Sequence, residues 1–407
     1  MKVLLISAYF PPDTGSAANL FYDLGKKLVQ KGIEVTVLTS FPSYHVVGDA
    51  KSYKSRKILK EQIDNMAVIR VKVPQFPRYI PVMRALWHFA MAYYFSRAAR
   101  RIERHDIALI YSPPLPLGFV GISLTKKFGT PFIFNVQDLF PQSAIDLKIL
   151  KNRFLIHFFK YLEKKIYDCA KHITAHSIGN KDYIITIGID GKKTTVIPNW
   201  IDTDYLQPGK KYNVFSQKYN LQDKFVVSFA GVIGYSQDID VILDAANLIR
   251  EKKDILILIV GDGVEKSRLE KKANEMNLKN VLFLPMQSRD VYSQVLHCSD
   301  ICLSALKKEV LTPVVPSKML SIMAAGEPLI ACMNLEGDAS KIVEQAQCGF
   351  VFPAGDHKEL ARAILKLYTS PELREQYGKN GRCYCVENFS LNVCADKYIQ
   401  LFKQILN

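Results

Sequence analysis

Residues 3–40 read VLLISAYFPPDTGSAANLFYDLGKKLVQKGIEVTVLTS. The apolar run VLLISA has the length of one buried strand, and the Pro pair and small residues after it make a turn. In LFYDLGKKLVQKG the apolar positions Leu20, Phe21, Leu24, Leu28 and Val29 recur three and four residues apart, which predicts a helix with one covered face. Gly32 stands where helices stop, and EVTVLTS reads as the next strand. A strand, a helix and a strand within 40 residues form a βαβ unit, which implies a parallel sheet covered on both faces.

The same alternation extends outward. Apolar runs at 107–112 (IALIYS), 131–138 (PFIFNVQD) and 172–177 (HITAHS) are separated by helix-length segments. The stretch VIPNWIDTDYLQPGKK interrupts them with connection residues. The pattern restarts with FVVSFAGVIG (225–234), a helix over DVILDAANLIREK, ILILIVGDG (255–263), VLFLP (281–285), ICLSAL (301–306), PLIACM (328–333) and GFVFPAG (349–355). The chain of 407 residues also exceeds what one core usually serves. The expected architecture is therefore α/β, with two doubly wound Rossmann-like domains facing across a cleft. Residues 1–200 form the first, 201–385 the second, and 386–407 a C-terminal helix crossing back to the first. In such folds ligands bind where strand C-termini and helix N-termini open.

Composition is that of a globular protein, with 48% apolar and 23% charged residues. The eight cysteines form no CxxC pair and no zinc-like spacing with histidine, so no metal site is expected. The start lacks the length and cleavage site of a signal peptide, and a cytoplasmic location with reduced thiols follows as an expectation. Net charge is +15. Residues 51–104 hold thirteen Lys/Arg against Glu61, Asp64 and Glu103, a concentration that calls for an anionic partner. Within it, FPRYIPVMRALWHFAMAYYFSRAARRIER is too short and interrupted in its apolar part to span a bilayer. Its mixture of Trp87 and tyrosines with Arg78, Arg84, Arg97, Arg100 and Arg101 suits an anionic membrane surface, with an ordinary basic helix as the alternative. No nucleic-acid module accompanies it.

Three segments carry candidate chemistry. The turn Pro11–Ala17 contains Gly15 and Ser16 between a strand and a helix, where backbone N–H groups and the helix dipole favour a phosphate; a plain turn is the alternative. Gly231, Val232, Ile233 and Gly234 follow the first strand of the second domain in the same way, again as a phosphate loop or a simple glycine turn. Residues 314–331, VVPSKMLSIMAAGEPLIA, read as a turn, a short helix from about Ser317 to Ala325, a glycine stop and a strand.

Taken together, PPDTGSAANLFYDLGKKLVQKGIEVTVLTSFP, VIPNWIDTDYLQP, FAGVIG, GDG, VPSK followed by AAGEPLIA, and CGFVFPAGD resemble the family-4 retaining glycosyltransferases of GT-B architecture, in order and over nearly the whole chain. The resemblance implies a nucleotide-sugar donor, most simply a UDP-sugar, held on the C-terminal domain without a metal cofactor. It also implies a lipid-linked or polysaccharide acceptor in surface-glycan biosynthesis. Carried onto this chain, Lys318 is the basic side chain on the donor diphosphate. Pro316, Ser317, Ser321, Gly261 and the loop 231–234 complete the donor site, and Gly15 and Ser16 close it from the N-terminal side. One feature departs from the pattern: the two glutamates that many members carry before AAG are here Pro313 and Ser321, so the usual ribose-holding glutamate is absent. Asp138, at the end of a first-domain strand, is placed to orient an acceptor hydroxyl or take its proton, or else to cap the helix after it. His172 and His176 read as core histidines. Alternative functions are a nucleotide-sugar epimerase on the same fold and a catalytically silent membrane-docking scaffold for a partner transferase.

Overall fold

The computed structural model describes residues 1–13, 16–42, 57–74, 76 and 81–407, without the side chains of residues 16, 81 and 82. The chain divides into two compact units, Met1–Trp200 with Leu391–Asn407, and Ile201–Ser390.

Among the described residues the first unit is built on eight strands: β1 (Lys2–Ile6), β2 (Glu34–Ser40), β3 (Ile58–Ile63), β4 (Met66–Val71), β5 (Ile107–Ser112), β6 (Phe132–Val136), β7 (His172–Ala175) and β8 (Thr194–Val196). They lie in the order β3-β4-β2-β1-β5-β6-β7-β8, parallel except for the β3–β4 pair. Period-two alternation gives the sheet two covered faces. Leu4 and Ile6 of β1 join a core with Trp87, Phe95 and Phe134, whereas Val3 and Leu5 join one with Phe21, Leu24 and Tyr398. The first helix, Ser16–Gln30, buries Leu20, Phe21, Leu24 and Leu28, and Gly32 ends its turn at φ +80°.

The β3–β4 hairpin and β8 are additions to the strands anticipated above. The hairpin turns through Asp64 and Asn65, both at positive φ, as the tight right-twisting turn requires. Its second strand carries Arg70, fully buried, whose guanidinium bonds Glu61 and the Pro11 carbonyl. Trp87 requires a correction. Instead of reaching a membrane, it is 2% exposed in the core beside Met91 and Phe95. An indole covered by its own domain has no surface left for headgroups.

The second unit has six strands: β9 (Phe225–Ala230), β10 (Ile255–Val260), β11 (Val281–Leu284), β12 (Ile301–Ala305), β13 (Leu329–Met333) and β14 (Gly349–Pro353). They form the order β11-β10-β9-β12-β13-β14, all parallel. The order therefore reverses between β9 and β12, the place where doubly wound sheets bind ligands beyond their strand ends. The last boundary falls at Leu391 rather than 386. The helix Pro371–Phe389 is still part of the second unit, with Cys385 and Phe389 in its core. The final helix, Leu391–Leu406, returns to the first unit. It buries Leu391, Cys394, Tyr398, Leu401 and Phe402 there, each worth about 1.5–3 kcal/mol if apolar and fully covered.

Candidate active site

At the carboxyl end of β9 the chain turns at Gly231, whose φ of +150° excludes ordinary side chains. This loop interlocks with the one after β10. The Ile233 N–H donates to the Asp262 carbonyl, and the Ile233 carbonyl accepts from Glu265. A Cβ at Gly261 would meet the Gly231 oxygen at 2.0 Å, and one at Gly263 the Ile233 oxygen at 2.3 Å. Glycine is thus required by backbone pressed on backbone. Ile233, expected among donor contacts, needs correction: its side chain is wholly buried and both its backbone groups are used internally, so it pegs the loop from within. Val232 and Tyr235 are the exposed side chains of this turn.

Lys318 enters from the helix Ser317–Ala325, which starts after Pro316 and stops at Gly326, at φ +76°. Its ammonium lies 3.6 Å from the centre of the Phe229 ring and donates to the Gln237 Oε1. A Cβ at Gly231 would stand 3.4 Å from Lys318 Cε, an ordinary contact, so the lysine lies directly against this loop. The side chain still reaches solvent, yet the protein around its head removes enough water to push its pKa well below the usual lysine range. Among the described residues no carboxylate forms an ion pair with it. A cation held by a ring face and an amide, at a helix start and next to glycine loops, has the chemistry to receive an anion. Ser321, also expected on the donor, faces inward: its hydroxyl donates to the Ser317 carbonyl at 3.4 Å and sits against Tyr292. Ligand contact is replaced there by packing.

In the first unit, Asp138 stands two residues beyond β6, open to solvent. Protein on its flanks raises the carboxyl pKa through lost hydration, against lowering hydrogen bonds from the Ser143 side chain and the Leu139 N–H. Behind it lies an acid cluster that the sequence did not reveal. Glu163, 1% exposed, is pushed up to about 8 by burial although Tyr167 and Tyr183 hydrogen-bond its carboxyl. Tyr111 and Tyr167 both feel the charge of Asp138, which places these groups around one strand end. The available signal was that Glu163 is the single acid between Lys148 and Tyr167, a stretch otherwise basic and aromatic.

Gly15, Arg78 and the side chain of Ser16 lie outside the described residues. Arg84, Arg97, Arg100 and Arg101 are exposed, with Arg100 Nε donating to Ser123 Oγ at 2.7 Å. His172 bonds Thr195 and His176 bonds Asn180. Among the described residues no three His, Cys, Asp or Glu side chains converge as metal ligands would.

Comparison with known proteins gives the chain its family. Residues 17–205 match the family model described as Glycosyltransferase Family 4, and residues 212–383 the model described as Glycosyl transferases group 1. The chain is a GT-B glycosyltransferase. The O-antigen chain mannosyltransferase C of Escherichia coli is 23% identical to it over 410 residues, covering 100% of this chain and 99% of its own. Among solved structures, a sucrose-phosphate synthase from Thermosynechococcus elongatus superposes with a TM-score of 0.79 at 19% identity, over 99% of this glycosyltransferase and 98% of its own chain. Anabaena HepE in complex with UDP-glucose superposes with a TM-score of 0.73 at 16% identity, over 99% and 100%. This glycosyltransferase therefore shares its two-unit architecture with enzymes of widely different sequence, and its own chemistry rests on the residues at its strand ends.

Proposed function

We propose that this glycosyltransferase moves a sugar from a UDP-sugar to a lipid-linked or polysaccharide acceptor in surface-glycan biosynthesis, with retention at the anomeric carbon and without a metal. The observation that carries the reading is Lys318: a dehydrated ammonium with no carboxylate partner among the described residues, beside the Gly231 loop and at the start of a helix. As the glycosidic bond to the diphosphate breaks, negative charge grows on the leaving oxygen. A preorganised cation stabilises that state more than the ground state, and so accelerates the step. In this reading the second unit holds the donor, with Ser317, Pro316, Gly231, Val232, Gly234 and Gly261 framing the diphosphate. Asp138 orients the acceptor hydroxyl, whose proton leaves with the departing phosphate.

The UDP and UDP-glucose held by HepE support a uridine donor, and relatives named for O-antigen and lipopolysaccharide assembly support a glycan acceptor. A lipid-linked acceptor places the enzyme at the cytoplasmic face of a membrane, with anionic lipid as a partner. The test is a thermal-shift panel of nucleoside diphosphates and nucleotide sugars, followed by turnover with lipid extract. UDP should raise the melting temperature, because a ligand that binds only the folded state stabilises it in proportion to occupancy. A chain that no nucleoside diphosphate stabilises, or that interconverts UDP-sugars without an acceptor, would defeat this reading.

A further inference from the structure

The helix Arg153–Cys169 of the first unit has one face in the core, through Phe159, Leu162, Ile166 and Tyr167, and a second face that is exposed among the described residues. Phe154 is 87% exposed and Tyr161 60%, with Leu155, Phe158 and, just before the helix, Ile149 also exposed. Phe154, Phe158 and Tyr161 are four and three residues apart and so form one stripe. The stripe continues onto the helix Pro81–Ala99. Phe89 packs 6.3 Å from the Phe158 ring, and the exposed Leu86 and Tyr93 stand at helical spacing on either side of it. Soluble monomers rarely leave such a contiguous apolar surface bare.

Its surroundings say what covers it. Lys148, Lys151, Arg153, Lys160, Lys164 and Lys165 are all exposed around the stripe. The one acid among them, Glu163, is buried, and Asp168 at the far end pairs with Lys164 at 3.4 Å. Protein interfaces are depleted of lysine at their centres, and single-stranded nucleic acid stacks on rings but gains nothing from Leu155, Ile149 or Leu86. Rings and aliphatic side chains entering the acyl boundary, with ammonium groups at headgroup level, match a bilayer leaflet bearing anionic lipid. Among the described residues no helix is long and apolar enough to cross that bilayer, so contact lies in the plane of the surface.

We propose that the outward face of the helix Arg153–Cys169, continued by Leu86, Phe89 and Tyr93, is the surface by which this enzyme lies on an anionic membrane. It borders the candidate acceptor site: Phe140, two residues after Asp138, packs its ring 5.0 Å from Phe159 on the same helix. A lipid-held acceptor lying at this face has its headgroup beside Asp138. The inference rests on the transferase reading in that one respect, that the acceptor is carried by lipid.

The experiment is flotation with vesicles of phosphatidylcholine containing phosphatidylglycerol, and with phosphatidylcholine alone, using the full chain. Wild type should float with the anionic vesicles and be released by salt. Phe154→Ser with Tyr161→Ser should lower the partition coefficient at least tenfold. Lys151, Arg153, Lys160 and Lys165 changed together to Gln should do the same and abolish the salt dependence. Both variants alter exposed groups, so both should keep the wild-type melting temperature and the wild-type stabilisation by UDP. Variants that float like wild type overturn the proposal, as does a wild type that ignores anionic vesicles. A dimer in sedimentation equilibrium that dissociates on Phe154→Ser would overturn it in favour of a second copy. Loss of UDP stabilisation in wild type would instead strike the donor assignment and leave the vesicle result standing.

Discussion

Both sheets reverse their strand order beside the first strand of their unit, β1 next to β5 and β9 next to β12, yet the ends of the two sheets carry opposite chemistry. In the second unit, glycines let two loops interlock and a dehydrated lysine stands beside them, with no carboxylate ion pair among the described residues. In the first unit a carboxylate stands at the strand end, backed by Glu163 and three tyrosines. On the proposed reading one end holds an anion, and the other orients hydroxyl groups. A doubly wound sheet thus decides where a ligand lies, and the few residues after each strand decide which ligand it is.

The sharpest way to break this contrast is to remove the cation. Lys318→Ala should lower kcat at saturating donor by at least about a hundredfold, the equivalent of roughly 2–4 kcal/mol for a buried electrostatic donor. Circular dichroism should show an unchanged fold, and near-normal turnover would take the lysine out of the site. Next in size is the loop on which it rests. Gly261→Ala puts a methyl group against the Gly231 carbonyl, where no flexible side chain can yield. A cost of about 1–3 kcal/mol in stability, with weaker UDP binding by calorimetry, is expected. An alanine variant with wild-type melting temperature would show that the two loops part easily.

On the other side of the contrast, Asp138→Asn should lower kcat by about tenfold, or about 1.4 kcal/mol, while the dissociation constant for UDP stays nearly the same. Should UDP binding collapse with it, the assignment of this carboxylate to the acceptor side is wrong. The smallest effect concerns Glu163. Its folded pKa of about 8 lies above the ordinary 4.5, so the native state binds the extra proton between those values. Its contribution to stability is therefore fully present below about pH 4.5 and is lost as pH rises through about 8. Glu163→Gln, neutral at every pH, should leave the melting temperature unchanged near pH 4.5 and raise it by a few degrees near pH 9, about 1 kcal/mol in a unit of this size. A variant no more stable than wild type at high pH would mean that burial does not hold this carboxyl above its ordinary pKa in the native protein.

Much of this was legible before any coordinates. The βαβ unit of residues 3–40, the stop at Gly32 and the restart after residue 211 follow from periodicity and turn residues, which are local properties. The donor role of Lys318 comes from the family resemblance, but the turn and the helix start that carry it were legible in the same way. Its ring and amide partners Phe229 and Gln237 were not, because they come from a strand and a loop some eighty residues earlier. The β3–β4 hairpin was missed because ILKEQI alternates polar residues and MAVIRV buries an arginine, whose cost is met by Glu61 and the Pro11 carbonyl. Asp64 and Asn65 were the turn signal that stood in the sequence.

The sequence by itself determined the element types, the tandem of two parallel sheets and the loops where glycine is needed, since each depends on a few neighbouring residues. Only the tertiary structure decided which side of an apolar helix is covered. Trp87 reads as a surface anchor and is core, whereas Phe154 lies on a helix with the same mixture of rings and cations and is almost fully exposed. A helix that is apolar on several sides does not record which face its neighbours take. Those neighbours, β2, β4 and the helix Gly118–Phe128 for one helix, and the same Gly118–Phe128 helix and β6 for the other, are brought together by sheet order, and burial follows from their positions rather than from the helix's own spacing.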